Sequence, residues 1–590
     1  MVTARSKRTF SRFLLAGLCC SAAGAVTVAC GFSDSPTSPG TGGAGTTVGG
    51  SGTMPGAGTS TTTAGSGVVG TGGSVTTTGG SGTMGGAVGT SGAPTGGNTA
   101  GGTPPGGAPA GGTGGGPVVG GTNLEYTGTW PNAPIKYKTM PGKLKYTKKV
   151  IQTEFLAESC SIADYNNDGM GDVSSGRIWY QGPDFTVSHK FRDGHGPLPR
   201  NGTPRIEINT GVSDDWADYP FDVNHDGNTD IINIAQCDVP ETTDTNPKIG
   251  TVQPHASAYW YQNPGPAGQA GDPNWTPHLI HADVRLEQHG FLDINADGFP
   301  EIYGACKGCT PNQTKGYYQG DPANPNNPWL YHQVTVHYDF PFGGLGWMHG
   351  MGGGDVNGDG KADILERDGA WLQQADGSFN QVPCTAKNVP AGCGFVRQDL
   401  YDGVIGAGQK GASHMYAVDM DMDGIADIVA ADWAHGEGLF WYKQDAAGKF
   451  TKYKIMGNAT DKAAYGVYFT EPHALQVVDM DGDGRPDIVT GKMRFAHPLE
   501  ENDPDPKGVP YIYVFKNVAA KDPNSGGPIT LQPVRVDGVD AYAASGPGSE
   551  GTPEAGMGVG RQLAVGHVNT DGIMDICVGT KVGLAVFLGQ

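Results

Sequence analysis

The chain has 590 residues, with 59 Asp and Glu against 38 Lys and Arg, a formal net charge of −21, and 99 glycines. So acidic a protein lacks the basic footprint that nucleic-acid binding requires, and no nucleic acid is expected among its partners. Its modest hydrophobic content of 37% is diluted by one long low-complexity stretch and understates the folded part.

Residues 1–30 read as a targeting segment. Arg5, Lys7, Arg8 and Arg12 form a basic start, and the apolar stretch from Phe13 to Ala29 is too short and too rich in small residues for a stable membrane span. The stretch ends TVAC, and Ala29–Cys30 resembles a bacterial lipoprotein cleavage site, although Thr27 stands where an aliphatic residue is usual. The resemblance implies a lipidated Cys30 and an extracytoplasmic, membrane-anchored protein at the bacterial outer membrane or cell surface, or otherwise a secreted one. Residues 31–122 are Gly, Thr, Ser, Ala and Pro with a single charge, Asp34. Such a segment cannot bury enough surface to offset its ordering entropy and is expected to be a flexible tether.

From Asp164 onward one nine-residue pattern occurs seven times, each copy followed by Val or Ile. Its oxygen-bearing positions 1, 3, 5 and 9 are Asp164, Asn166, Asp168 and Asp172; Asp222, Asn224, Asp226 and Asp230; Asp293, Asn295, Asp297 and Glu301; and Asp355, Asn357, Asp359 and Asp363. They continue as Asp419, Asp421, Asp423 and Asp427; Asp479, Asp481, Asp483 and Asp487; and His567, Asn569, Asp571 and Asp575. Position 6 is glycine throughout, which permits the positive φ of a tight turn. Alternate oxygens converging on one point suit a hard cation of calcium's size, so Ca2+ is the expected structural ion in several loops. Position 9 is expected to reach back as a bidentate ligand. The fifth and sixth loops, with four Asp each, are expected to bind most tightly, whereas His567 leaves occupancy of the seventh open. The seven loops hold 22 of the acidic residues, so the net charge reads as metal-binding capacity.

Each loop has an apolar strand before and after it, then an aromatic strand such as IWYQ, YWYQN or LFWYK, and in most units a fourth strand such as HLIHA or KYKIM. Radial repetition of four-stranded units is a β-propeller. The aromatics are expected to pack between neighbouring units, and His278 and His332, in outer strands, to be structural. The last unit ends on its third strand, GLAVFLG, so the segment YTKKVIQTEF at 146–155 is expected to supply its outer strand and close the ring. The whole pattern resembles the FG-GAP/VCBS repeat family of calcium-binding propellers. The resemblance implies an all-β, seven-bladed β-propeller over residues 123–590 but leaves its activity open.

Among the cysteines, Cys384 and Cys393 flank a short loop and are expected to form a disulfide, as outside the cytoplasm. Cys306 and Cys309 form a CxxC without a second pair, which makes a weak zinc signal, and Cys237 is a candidate for bridging to Cys306 between adjacent units. Cys160 and Cys577 sit within strands and read as buried thiols.

Counting back four to six residues from each acidic loop reaches Glu158, Asp218, His289, His349, His414, His473 and, in the last unit, Gln562 beside Arg561. This is the start of the innermost strand of each unit, and in a propeller these starts gather at one mouth of the central channel. Three imidazoles and an open position make a catalytic metal site, so a transition metal such as Zn2+ is expected there, with Glu158 and Asp218 as neighbouring carboxylates. The contexts GWMHGMGGGDVNGDGKADIL and EPHALQVVDMDGDGRPDIVTGK also resemble the propeller of aldos-2-ulose dehydratase, a metal-containing sugar lyase. Two functions therefore stand on the sequence: a calcium-stabilised surface lipoprotein that binds a carbohydrate or protein ligand, or a metal-dependent sugar lyase or hydrolase.

Overall fold

The computed structural model describes residues 141–192, 215–235, 257–306, 314–336, 349–366, 369–373, 395–398, 412–494, 504–505, 508–539 and 554–590. The targeting segment, the tether and the expected Cys384–Cys393 pair lie outside these residues. Among the described residues no helix is long and apolar enough to cross a membrane.

The fold is an all-β propeller in which each acidic loop joins the first and second strands of a four-stranded antiparallel unit. The first and second strands of most units are buried at every position, as short apolar strands packed on both faces are. Five units stand as separate four-stranded sheets, not the seven expected. The fourth and fifth units are instead one eight-stranded sheet, because their first strands, Met351–Gly354 and Met415–Val418, pair in parallel. Glycine makes this approach possible. A β-carbon at Gly352 would lie 1.9 Å from the Met415 carbonyl oxygen, so only a bare backbone fits between the two strands.

The third-strand aromatics form the core between units. Trp179, Trp260, Trp371 and Trp441 are fully buried. Trp260 shares one cluster with Phe291, Ile302 and Tyr318 of the following unit, as expected from the sequence. A tryptophan removes roughly 200 Å² from water, on the order of 5 kcal/mol as an upper estimate. His278 stacks on Trp260 at 4.1 Å and His332 on Tyr317 at 4.8 Å, consistent with packing roles.

Tyr146–Gln152 runs antiparallel to Gly583–Gly589 and forms the outer edge of the last sheet, so residues from both ends of the described chain share four strands. A disulfide joins Cys160, next to the first strand of unit 1, to Cys577 in the second strand of unit 7, across 417 residues of sequence. The reading of these two cysteines as thiols is thereby corrected. Counting along each strand revealed their burial, but the proximity of the first and last units is a contact between units that no strand pattern states. A bond spanning so much chain restricts the unfolded ensemble strongly, and its loss typically costs about 2–5 kcal/mol. Replacing both cysteines with Ala is expected to lower the denaturant midpoint in proportion. Reductant should lower the midpoint of the natural protein by more than that of the variant.

Candidate functional site

Four donors converge at the mouth opposite the acidic loops: Glu287, His349, His435 and His473, with one ligand atom of each within 4.8 Å of the others. His349 Nε2 lies 3.0 Å from His435 Nε2. Glu287 Oε2 lies 3.0 Å from His473 Nε2, 3.7 Å from His435 Nε2 and 3.8 Å from His349 Nε2. The three rings stand nearly perpendicular to one another, at 76°, 76° and 87°. Donors around a tetrahedral ion with bonds of about 2.0–2.2 Å lie roughly 3.3–3.6 Å apart, so spacing and donor chemistry both fit a transition metal. The histidine side chains are at most 2% exposed and that of Glu287 is 12% exposed.

Each donor comes from a different part of the repeat. Glu287 lies in the first strand of unit 3, Arg285–Leu292, whose register shifts between Arg285 and Gly290. A side chain at 290 would collide with the Tyr303 ring at 1.8 Å, so the glycine lets the strand approach. His349 and His473 precede the first strands of units 4 and 6, and His435 sits in the turn between the second and third strands of unit 5. The backbone N–H of Glu471 donates to the Gly436 carbonyl at 2.7 Å and that of His473 to the Glu471 carbonyl at 2.8 Å, which ties the segments carrying His435 and His473 together. Glu471 itself adopts φ +59°, a conformation that costs a non-glycine residue roughly 1 kcal/mol or more.

The electrostatics favour ligating forms. Burial pushes the His473 imidazole down to about 3, with Glu287 pulling the other way, so the ring is neutral at neutral pH. Burial alone would raise Glu287, but His349, Arg561 and hydrogen bonds from His435 and His473 outweigh it and hold the carboxyl well below its usual range. Arg561 stacks 3.9 Å over Trp216, places Nε 3.5 Å from Glu287 Oε2, and pairs through Nη1 with Glu158 Oε2. Lys581 lies 3.5 Å from Glu158 Oε1.

Of the residues singled out from sequence, the structure therefore joins His349 and His473 and leaves the others outside the donor group. His414 Nε2 donates to the His289 carbonyl at 3.1 Å, and burial pushes its imidazole down to about 4. His289 is buried, burial pushes it down to about 3, and neither ring nitrogen has a hydrogen-bond partner among the described residues. Asp218 accepts from Asn233 at 2.7 Å, the Gly176 N–H at 3.1 Å and Ser159 at 3.2 Å, which makes it a buried strut. Gln562 exchanges two hydrogen bonds with the Asp218 backbone, and Glu158 is engaged with Arg561. Sequence counting missed Glu287 and His435. Glu287 was legible two residues before His289 on the same strand. His435 was not, because counting back from the loops samples strand starts only, whereas in an antiparallel sheet the end of the second strand lies beside the start of the first.

At the opposite end, the acidic loops keep their shape through hydrogen bonds. In six loops the first Asp accepts the N–H groups of positions 5 and 6, as in Asp419 with Asp423 at 3.0 Å and Gly424 at 2.7 Å. In the seventh, His567 Nδ1 instead donates to the Ile573 carbonyl at 3.0 Å. The ninth carboxylate does more than the ligand role expected of it. In all seven loops one oxygen accepts the N–H of position 2, and in six the other accepts an N–H at the end of the third strand. Burial raises these carboxyls, Asp172 and Asp363 to about 8, Glu301 to about 9, and Asp427, Asp487 and Asp575 to about 7. A nearby cation would offset that cost. Oxygens of Asp419, Asp421 and Asp427, and of Asp479, Asp481 and Asp483, lie within 4.8 Å of one another, and Asp421 Oδ1 and Asp481 Oδ1 are buried without a hydrogen-bond partner among the described residues. The donor set thus fits a hard cation.

Residues 405–490, which span the fifth and sixth loops, match the family model of the FG-GAP-like repeat. No curated protein matches the chain. Solved structures similar to it include rhamnogalacturonan lyase YesW (13% identity over 76% of this chain and 75% of that one, TM-score 0.31) and the Bacillus licheniformis rhamnogalacturonan lyase PL11 (14%, 76% and 75%, 0.30). The exotype rhamnogalacturonan lyase YesX is comparable, at 13% identity over 76% and 74% with a TM-score of 0.31. The likeness to aldos-2-ulose dehydratase stays a resemblance of two sequence stretches.

The two kinds of acidic residue are separable by experiment. Asp363→Ala strands two buried N–H groups, those of Val356 and Gln373, and is expected to cost about 3–5 kcal/mol even in excess chelator. Asp359→Ala removes an exposed acid and should cost less than about 1 kcal/mol under the same conditions, measured by denaturant unfolding.

Proposed function

We propose that this FG-GAP repeat propeller is a metal-dependent lyase or hydrolase acting on a carbohydrate, its transition metal held by Glu287, His349, His435 and His473. The observation that carries this reading is the convergence of four buried ligand atoms from four separate segments. Burying three imidazoles and a carboxylate together is costly, and a metal ion is the ordinary reason for such a set. The carbohydrate is named on the local sequence likeness of the segments that deliver His349 and His473 to a sugar lyase. Calcium in the acidic loops is part of the same proposal, as is closure of the ring by Tyr146–Gln152 and the Cys160–Cys577 bond. The disulfide supports an extracytoplasmic location, and a lipidated Cys30 at the bacterial cell surface is part of the same proposal on the sequence alone.

A metal bound at this site would polarise a substrate oxygen or make a bound water more acidic. The surrounding residues orient and charge the site. Arg561 links Glu287 to Glu158 and limits how far either carboxylate can turn. Lys492, bonded to Thr470 at 2.6 Å and Glu471 at 3.1 Å, fixes the segment that leads into His473.

A second reading rests on the donor count. Four protein ligands fill a tetrahedral shell, as in structural zinc sites, and would make the centre a fastening in a binding propeller. A six-coordinate ion would keep two positions open to substrate. Full-length protein is expected to retain about one equivalent of transition metal after dialysis. His435→Ala and His473→Ala should each weaken retention at least about tenfold, whereas His414→Ala should retain the metal. A cobalt-substituted protein with intense, four-coordinate visible absorption, unchanged by added oligosaccharide, would favour the structural reading. Weak, six-coordinate absorption that shifts with the sugar favours the enzyme.

A further inference from the structure

The fifth and sixth loops differ from the other five at two positions that change together. Position 3 is Asp421 and Asp481 in these loops, and Asn166, Asn224, Asn295, Asn357 and Asn569 elsewhere. On the third strand of the same units, the residue after the aromatic that faces the post-loop Ile or Val is Lys443 and Lys516. The corresponding residues in the other units are Gln181, Gln262, Gln319, Leu372 and Leu588. Asp therefore occurs where Lys occurs, and Asn occurs where it does not.

The geometry explains the pairing. Lys443 Nζ lies 2.5 Å from Asp421 Oδ2 and also binds Asp423, while Lys516 Nζ binds Asp481 and lies 3.2 Å from Asp483 Oδ2. Each ammonium thus takes oxygens from positions 3 and 5, two of the positions a calcium ion would use. Counting only the four oxygen-bearing positions, three carboxylates in an Asn-type loop carry −3, and four carboxylates with the facing lysine in an Asp-type loop carry −3 as well. The lysine restores the balance that the extra Asp disturbs.

We propose that Lys443 and Lys516 are internal latches that hold the fifth and sixth loops closed without calcium, so that an ion must displace an ammonium to bind there. The inference rests on the calcium reading of the loops. It reverses the expectation that the loops with four Asp bind most tightly. Calcium affinity follows the charge and readiness of the oxygen set, and a resident ammonium lowers both. The two latched units adjoin the His435 turn and the His473 segment, so half of the metal-centre donors sit on sheets whose loops do not depend on calcium.

The test uses full-length, chelator-stripped protein titrated with calcium by calorimetry, with thermal melting in chelator as a second reading. The double variant K443Q/K516Q is expected to bind calcium at two sites at least about tenfold more tightly than the natural protein, and to melt lower in chelator because eight carboxylates lose their counter-ions. The variant D421N/K443Q/D481N/K516Q, which converts both loops to the Asn type, keeps the charge balance and guards against misfolding of the first. It should bind calcium at these two loops as the Asn-type loops do. Unchanged or weaker affinity at both loops in both variants overturns the latch. Calcium uptake by the natural protein at other loops together with that result would leave the calcium reading intact while the latch fails, whereas no uptake by any of the three proteins overturns both.

Discussion

The structure depends on one interaction repeated in six of the seven units: a buried carboxylate at the ninth loop position that receives one backbone N–H from its own loop and another from the end of the third strand. It stitches the turn before the second strand to the end of the third, where side-chain hydrogen bonding could not otherwise reach. The residue receiving that clamp then works outward. Asn263, Gln373, Gln444 and Asn517 each donate a side-chain N–H to the position-2 carbonyl of the preceding unit's loop, at 2.6–2.9 Å. One acid thus orders its own unit and, through its neighbour, the next. Burial makes any unmade bond of this kind expensive. This explains why position 9 stays acidic even in the seventh loop, where His567 has replaced the first acid.

With the loop end of each unit held this way, the other end is free to vary. Strand starts and the turns between second and third strands meet at the opposite mouth, and there the repeat carries Glu, Asp, His, Gln and Arg in place of a constant residue. The four converging donors come from units 3, 4, 5 and 6, the run that contains the fused eight-stranded sheet. Parallel pairing of Met351–Gly354 with Met415–Val418 brings two first strands to hydrogen-bonding distance. That contraction is why His349 can meet a side chain from unit 5 at 3.0 Å.

Much of this was legible from spacing alone. The strand order within each unit, the outer strand supplied by residues 146–152, the structural histidines His278 and His332, and two of the four converging donors follow from the order of apolar and aromatic segments around each loop and from using the loops as a ruler. What was not legible has a common cause. The Cys160–Cys577 bond, the fusion of two units, and the joining of His435 to His349 all depend on contacts between units, and a repeat encodes each unit's inside more plainly than its neighbour. Glycine carried part of that missing information. Gly352 and Gly290 read as ordinary members of Gly-rich strands, yet each stands where another group leaves no room for a β-carbon.

Acidity can mislead for a similar reason. A net charge of −21 invites the view that the most acidic loops are the strongest cation sites. Charge on a loop is not charge available to an ion, because a strand two turns of sequence away can supply the counter-charge. Where Asp replaces Asn at position 3, a lysine stands opposite, and the net demand for cation charge is the same as before. The same bookkeeping applies at the other mouth, where Arg561 faces both Glu287 and Glu158. At both ends of this propeller the acids with oxygen left to give a cation are those whose partners do not already claim it, and those partners are set by the fold rather than by composition.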